Sequence, residues 1–261
     1  KLGFDLYLID INGLLDREKI YGYDDDTERF LAFQVAVCDW MSKWQHTPDV
    51  IHCHDHHTGL IPFMVKYCFE FRQKLSEIPT VLTVHNAQYQ GWIGWDKYYL
   101  LPPFDSWKWG MLDWANSINP LASAVKCAWK VTTVSHSYLD ELKQEANGLQ
   151  DLFQYETGKS SGILNGIDNQ VWDPVTDSMI AKNYDKELVA KGKKKNKKEL
   201  AGQFGLDPEK PLIAFIGRLV GEKAADLLPE AIAQSIYQHH GHANFLVLGS
   251  GDPKQKTGST R

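Results

Sequence analysis

The sequence predicts an α/β fold built on parallel sheets. Short apolar runs rich in β-branched residues recur along the chain, and most are followed by a segment with helical periodicity. This alternation is typical of right-handed βαβ units, whose sheets are covered by helices on both faces. The predicted strands are residues 6–11, 50–53, 80–85, 131–135, 212–216 and 244–248, and the predicted helices are residues 27–43, 59–74, 136–144 and 225–237.

Length and pattern predict two domains. A chain of 261 residues exceeds the usual size of one compact domain, and the α/β pattern breaks between residues 169 and 211. We therefore predict an N-terminal Rossmann-like domain over residues 1–160, and a linker with the start of a second over 161–261. The lysine run 191–198 (KGKKKNKK) lies in the interrupted part, where a solvated helix face is the expected interpretation.

Composition argues against several classes of function. The net charge of −5 argues against a polyanion-binding surface, so we expect no nucleic-acid partner. No stretch is long and apolar enough to cross a bilayer, and no signal peptide is evident, so we expect no membrane partner. The four cysteines form no CxxC pair and are expected to be buried free thiols in a reducing cytoplasm.

Parallel sheets bind ligands beyond the carboxyl ends of their strands, which directs attention to residues 52–57 (HCHDHH). Four histidines and an aspartate could form a metal site, although the spacing departs from the HxHxDH motif of metal-dependent hydrolases. Alternatively, His54 and Asp55 could orient one another and cap the helix that follows. A third possibility is that this strand end lines a sugar pocket.

The next strand is followed by residues 85–91 (HNAQYQG). His85, Asn86, Tyr89 and Gln90 suit a polyhydroxylated ligand, because imidazole and amide groups offer both donors and acceptors to hydroxyls. The alternative is a turn-forming asparagine beside a histidine that is satisfied within the fold.

Two later segments follow strands of the second domain. Arg218 leaves one strand end and Lys223 is expected near the start of the following helix, so both could face one anion. A structural bridge from Glu222 to either cation is the competing interpretation. Gly249 and Gly251, in the loop 248–253 (LGSGDP), would allow a ligand to approach the backbone closely.

Taken in order, these motifs resemble the bacterial glycogen synthases and plant starch synthases. The resemblance runs from about residue 6 to residue 253 and includes DVIHCHDHHTGLIP, TVLTVHNAQYQG, GILNGIDNQVWDP, IGRLVGEK and LVLGSGDP. It implies a retaining glycosyltransferase of the GT-B type, with two Rossmann-like domains facing a cleft. It also implies an ADP-glucose (or UDP-glucose) donor, an α-1,4-glucan acceptor, no cofactor and no metal.

The resemblance also implies residue roles. His85 matches the histidine against the donor glucose, and Asp55 the aspartate that shapes the acceptor side of the cleft. Asn165, followed by Gly166, matches the asparagine that contacts the donor sugar. Arg218 and Lys223 match the pair that neutralises the diphosphate. Together with His85 and Asp55, they form the predicted catalytic set.

The chain also departs from the family pattern. The opening Lys-x-Gly-Gly-Leu loop and the later Glu-Pro-Cys-Gly-Leu segment do not occur in these residues, so we expect that the start of the first domain and much of the second are missing. We expect this polypeptide alone to be inactive in glucan synthesis. The alternatives are a sucrose synthase-like enzyme of the same architecture, a metal-dependent hydrolase built on residues 52–57, and a non-catalytic glucan-binding remnant.

Overall fold

A computed structural model describes residues 3–251, apart from the side chain of Glu222. The chain divides into two compact units, one ending at Gly166 and the other beginning at Ile167. The strands are β1 Ile51–His54, β2 Thr80–Val84, β3 Asp113–Trp114, β4 Ser117–Ile118, β5 Lys130–Thr133, β6 Ser160–Gly162, β7 Leu212–Ile216 and β8 Asn244–Leu248. The α-helices are α1 Asp26–Ser42, α2 Ile61–Tyr67, α3 Phe69–Leu75, α4 Pro120–Cys127, α5 His136–Leu142, α6 Gln150–Tyr155, α7 Val189–Gln203 and α8 Leu228–Gln238.

The first unit is organised by a four-stranded parallel sheet in the order β1-β2-β5-β6. Its strands are short and mostly buried on alternate residues, and α1, α2 and α4 pack together beside them. The fully buried side chains include Phe63, Phe71 and Phe153, and the cysteines Cys38 and Cys68 belong to the same core. The apolar runs at residues 50–53, 80–85 and 131–135 therefore contribute to one core.

Helix starts in this unit follow ordinary capping chemistry. The side chain of Asn119 accepts a hydrogen bond from the amide of Ala122 at the start of α4, and Pro120 occupies the first helical position. The hydroxyl of Ser135 accepts a bond from the amide of Tyr138 at the start of α5 in the same way. These caps fix where α4 and α5 begin relative to the carboxyl ends of the strands before them.

Two predicted elements are wrong. Residues 6–11 form no strand, and Leu8 is 87% exposed, because no other strand within the described residues pairs with this segment. The predicted helix 59–74 is two helices, since the backbone at Cys68 is extended with ψ of 131°. The other five predicted strands and the helix that became α1 are confirmed to within two residues.

The second unit contains a parallel pair, β7 and β8, with α7 before it and α8 between the two strands. The lysine run lies on α7, where Lys191, Lys193 and Lys195 are exposed as expected of a solvated face. No helix in the described part of the chain is long and apolar enough to span a membrane. All four cysteines are free and buried.

Candidate functional site

The candidate site lies at the carboxyl edge of the four-stranded sheet. β1 and β2 are parallel neighbours, with His54 in register with Thr83, so the residues after both strands meet at one edge. Asp55 directly follows β1, and His85 directly follows β2. The structure therefore brings together the two predicted catalytic residues of the first unit.

Asp55 supports the backbone after β2. Its Oδ1 accepts hydrogen bonds from the amide of His85 at 2.7 Å and from the amide of Asn86 at 3.4 Å, and its own amide donates to the carbonyl of Thr83 at 3.0 Å. Its backbone has φ of 54° and ψ of −168°, a region that glycine normally occupies. The alternative in which Asp55 caps the following helix is wrong, because no cap bond forms there and the carboxylate reaches the neighbouring strand end instead.

A histidine contact orients the His85 ring. Nδ1 of His54 lies 3.0 Å from Nε2 of His85, so one ring donates the proton and the other accepts it. His52 stands beside His54 with ring centroids 4.3 Å apart, and its Nε2 lies 2.7 Å from the hydroxyl of Thr83. Burial lowers the pKa of His54 below its ordinary value, and the neighbouring His52 and His85 lower it further. This row of side chains favours a neutral His54.

His56 and His57 pack away from that row. Their rings lie 3.7 Å apart, and each meets Phe30 edge-on. Burial lowers the pKa of His56 to about 4, with a further contribution from His57, and burial also lowers the pKa of His57. Gly91, with φ of 75°, leaves space for the His56 ring, since a Cβ there would lie 2.6 Å from Cδ2 of that ring. Within residues 3–251, no group of three or more His, Cys, Asp or Glu side chains converges in a way that could hold a metal ion.

The loop after His85 is held from beneath. Gln90 is only 3% exposed, and its amide donates to the carbonyls of Ala87 and Asn147 at 3.0 Å while its Oε1 accepts from Asn119. The hydroxyl of Tyr138 accepts a bond from the amide of Ala87 at 3.0 Å. Gln90 therefore faces the core, and its role as a sugar contact stays a prediction without an accessible polar atom to support it.

Other predicted contacts are more accessible. The side-chain oxygen of Asn86 accepts from the amide of Gln88 at 2.9 Å, and Tyr89 is 51% exposed. Asn165 and Gly166 follow β6 at the same edge of the sheet and are exposed. Sequence inspection missed Tyr138 and Asn119, whose supporting contacts have no local sequence signal because their partners lie 29 to 51 residues away.

In the second unit, Arg218 and Lys223 follow β7 and are both exposed. Lys223 ends a 3-10 turn, Gly221–Lys223, and α8 begins five residues later at Leu228, so the expected place of Lys223 near the helix start is wrong. Residues 224–227 separate the turn from α8, and the first of them, Ala224, has a φ of 53° that interrupts the helical path. The alternative bridge from Glu222 involves a side chain outside the described part of the structure.

Close backbone packing within this unit explains why positions 249 and 251 are glycine. A Cβ on Gly249 would lie 2.2 Å from the carbonyl oxygen of Gly217, and one on Gly251 would lie 2.2 Å from that of Leu219. The two backbones approach closely because Leu219 and Gly251 extend the β7–β8 pairing as an isolated bridge. Their role as ligand contacts stays a prediction. Asp252 and Pro253, which complete this loop in the sequence, lie outside the described residues.

The chain is similar to known proteins of one family. A family model described as starch synthase catalytic domain matches residues 1–155. A glycogen synthase of Flavobacterium johnsoniae is 54% identical over 252 residues, which cover 97% of this chain and 53% of that protein. A glycogen synthase of Streptococcus gordonii is 35% identical over 259 residues, with 96% and 53% covered.

A solved structure agrees. The catalytic domain of starch synthase IV from Arabidopsis thaliana, bound to ADP and acarbose, matches with a TM-score of 0.76 and 28% identity, covering 92% of this chain and 50% of that one. The predicted α/β class of the GT-B type is thereby confirmed. The chain spans about half the length of the curated relatives it matches. On the family match over residues 1–155, this chain belongs to the glycogen and starch synthase family.

Proposed function

We propose that this chain carries part of the machinery of a glycogen synthase, which transfers glucose from ADP-glucose to the non-reducing 4-OH end of an α-1,4-glucan with retention of configuration. The observation that supports the proposal best is the pairing of Asp55 and His85 at the carboxyl edge of a parallel sheet, in a chain of this family. The ADP and acarbose named with the Arabidopsis thaliana structure were bound to that protein, and they support a nucleotide and a glucan-like ligand here.

The geometry suits a group that contacts the donor sugar. Asp55 holds the backbone of His85 from one side, and His54 directs the ring from another. The imidazole of His85 is exposed at the edge, where it can form a hydrogen bond with a glucose hydroxyl. Because both supports act on one residue, the ring is positioned before the sugar arrives, which reduces the cost of ordering it during the reaction.

The leaving group is the second element of the proposal. A departing nucleoside diphosphate gains negative charge as the glycosidic bond breaks, and fixed cations stabilise that charge. We assign this role to Arg218 and Lys223, in keeping with their places after β7 and their exposure. Same-face attack, with the diphosphate accepting the proton of the acceptor hydroxyl, is the route we favour for retention.

The proposal extends to the donor, the acceptor and the compartment. The glycogen synthases among the relatives favour a nucleotide-linked glucose donor and a glucan acceptor. Four buried free thiols are typical of a reducing compartment, and we propose a cytoplasmic location on that basis. We also propose that the 261 residues alone do not support transfer, since the resemblance assigns a phosphate loop and a glutamate segment that they do not contain.

The test is a glucosyl-transfer assay on the complete synthase, with labelled ADP-glucose or UDP-glucose and a glycogen primer. We expect label to enter glycogen from ADP-glucose, and an exo-hydrolase specific for α-1,4 linkages to release it. A His85→Ala variant serves as the inactive control, and the 261-residue chain is assayed alongside. Transfer from UDP-glucose alone would overturn the donor assignment, and transfer to no glucan would overturn the function.

A further inference from the structure

A cavity lies at the amino end of the four-stranded sheet, opposite the edge that carries Asp55 and His85. It has a volume of about 710 Å³, which is in the range of small-molecule sites. Residues that directly precede three parallel strands line it, namely Pro79 before β2, Trp129 before β5 and Lys159 before β6. β2 has five residues, so roughly 15 Å of strand, at about 3.3 Å per residue, separates the cavity from His85.

Three lysines bring positive charge to this cavity. Lys66 lies in the last turn of α2, Lys126 lies in the last turn of α4, and Lys159 precedes β6. Burial raises the pKa of the Cys127 thiol, which also lines the cavity, to about 12, and all three ammonium groups oppose that rise. The three cations therefore converge on one place. Glu77 is the one carboxylate among the described residues of the lining, so positive charge is in excess there.

Part of this charge satisfies groups of the fold. The ammonium group of Lys126 donates to two backbone carbonyls, at 2.9 and 2.6 Å. That of Lys159 donates to the carbonyl of Lys126 at 3.0 Å and lies 3.1 Å from Oε2 of Glu156. An ammonium group has three protons, so each of these two retains one donor for a ligand. Lys66 is exposed and forms no ion pair or hydrogen bond with any residue from 3 to 251.

Two groups of the lining are short of partners. Thr80 is only 5% exposed, and its hydroxyl has no hydrogen-bond partner within residues 3–251. Burial lowers the pKa of Lys126, and the nearby Asp113 and Cys127 offset that shift only in part. The ammonium group of Lys126 is bonded to carbonyl oxygens rather than to a carboxylate. Buried polar groups are normally satisfied, and an anion in the cavity would serve both of these groups.

The rest of the lining is apolar. It includes Pro62, Val65 and Ile78, together with Trp129, which is 61% exposed. The ammonium group of Lys130 lies 5.6 Å from the centre of the Trp129 ring and adds a further positive charge close to the cavity. Cations combined with an indole and aliphatic side chains suit an anionic head group on a compact carrier.

We propose that this cavity binds a small phosphate monoester, at a site separate from that of the sugar-nucleotide donor. A phosphate monoester carries about 1.5 to 2 negative charges at neutral pH, which several cations can balance. Its terminal oxygens accept hydrogen bonds from Lys66, Lys126 and Lys159, which act as compact charges. The hydroxyl of Thr80 donates to the same group, and the carrier packs against Trp129. The site uses no residue of the proposed transfer reaction.

The test is a calorimetric titration of the 261-residue chain with ribose 5-phosphate, inorganic phosphate or ribose, in phosphate-free buffer at low ionic strength. We expect ribose 5-phosphate to bind, inorganic phosphate to bind less tightly, and ribose not to bind. Lys66→Ala should weaken binding of ribose 5-phosphate about tenfold, because it removes one charged contact. Thr80→Val keeps the shape of the side chain and should weaken binding about threefold. It should not lower Tm without ligand, since the hydroxyl has no partner within residues 3–251.

Three further variants locate the bound molecule. Trp129→Ala should reduce the affinity for ribose 5-phosphate to that for inorganic phosphate, because it removes the wall against which the carrier packs. Lys108→Ala is the matched control. Its ammonium group lies 5.5 Å from the centre of the Tyr67 ring, as that of Lys66 does at 5.7 Å, but Lys108 does not line the cavity. Lys223→Ala reports any phosphate that binds to the proposed donor cations.

The outcomes separate this cavity from the donor site. Binding of ribose 5-phosphate that is unchanged in Lys66→Ala, or equally weakened in Lys108→Ala, would overturn the proposal. So would binding that is lost in Lys223→Ala but kept in Lys66→Ala, which would place the phosphate at the donor cations and support the proposed function. Equal affinities of the wild type for ribose 5-phosphate and inorganic phosphate would assign the cavity to free phosphate and exclude a monoester site. Binding of ribose as tight as that of ribose 5-phosphate would exclude an anion site.

Discussion

Asp55 accepts a hydrogen bond of 2.7 Å from the amide of His85 while its own backbone occupies a conformation that glycine normally adopts. The strain of such a backbone is about 1–3 kcal/mol. A hydrogen bond to a charged group contributes about 1.5–3 kcal/mol, so the two effects are of similar size. Asp55 is therefore placed at some cost where its carboxylate can support the residue after the adjacent strand.

Two substitutions of Asp55 separate the stabilisation that its carboxylate provides from the cost of its strained backbone. Asp55→Ala loses the bond and keeps the strain, so we expect the free energy of unfolding to fall by about 1.5–3 kcal/mol. Asp55→Gly loses the bond but relaxes the backbone, and should recover about 1–3 kcal/mol of that loss. Both variants should lose transfer activity in the complete synthase. Urea unfolding and the transfer assay measure the two effects, and a glycine variant as unstable as the alanine variant would contradict the strain argument.

His54 should act through His85. Its ring is only partly covered, so His54→Ala should change Tm little, whereas the unsupported His85 ring should lower kcat of the complete synthase about tenfold or more. His54→Gln retains a hydrogen-bonding group towards His85 and should restore part of the rate. His46→Ala, at another exposed histidine, is the control. If His54→Ala changed only KM, or if His54→Gln restored none of the rate, His54 would not act by positioning His85.

Five strands could be predicted from the sequence because their apolar runs are local and each pairs with a neighbour in the fold. The segment 6–11 has the same pattern, but a strand needs a paired partner, and pairing depends on distant residues. The break between α2 and α3 at Cys68 could not be predicted either, because the apolar spacing continues across it and only the backbone conformation changes, from helical to extended.

The site could be predicted in outline for a related reason. Residues after parallel strands share one edge, so Asp55 and His85 were expected near each other. The contacts between them were not predictable. An aspartate that caps a helix cannot be told apart in the sequence from an aspartate that accepts a hydrogen bond from the backbone amide of a neighbouring strand end. Gln90 shows the limit most clearly. Its motif suggested a sugar contact, yet its partners Asn147 and Asn119 draw it into the core.

The half-buried His56 should make stability depend on pH. Its pKa is about 4 in the folded protein and near 6.5 in the unfolded chain, so the unfolded state binds the proton first as the pH falls. The contribution of His56 to stability is therefore fully present above pH 6.5, is lost as the pH falls towards 4, and changes no further below that. As the pH falls, the free energy of unfolding should decrease less steeply in His56→Gln than in the wild type. The difference between the two slopes should be less than about 1.4 kcal/mol per pH unit, because the ring is only partly buried.

Urea unfolding at pH 7, 6, 5 and 4.5 measures this slope. His46→Gln is the control, because that histidine is exposed. The carboxylates that titrate in the same range are present in all three proteins and cancel in the comparison. Identical slopes for the wild type and the His56→Gln variant would show that burial of this ring does not disfavour its protonation.

Ala224 should be improved by glycine. It has φ of 53° in the turn after Lys223, and a left-handed backbone costs an alanine about 1–2 kcal/mol that glycine avoids. We expect Ala224→Gly to raise the free energy of unfolding by up to about 1 kcal/mol, since glycine also gives the unfolded chain more freedom. Ala233→Gly, in the exposed interior of α8, should lower it by about 1 kcal/mol. A loss of stability at both positions would rule out the left-handed conformation.

Arg218 and Lys223 should differ in how they meet the diphosphate. Arg presents a planar fork that can grip two phosphate oxygens, whereas Lys acts as a compact charge. Arg218→Lys in the complete synthase should therefore lose much of the donor affinity, and Lys223→Arg should be better tolerated. Each alanine variant should lower kcat/KM by about 10²-fold or more, a loss of about 2.7 kcal/mol in transition-state stabilisation. Lys210→Ala, which removes an ammonium group before β7 rather than after it, should leave transfer unchanged. Turnover and donor affinity untouched by Arg218→Ala or Lys223→Ala would mean that other groups neutralise the leaving group.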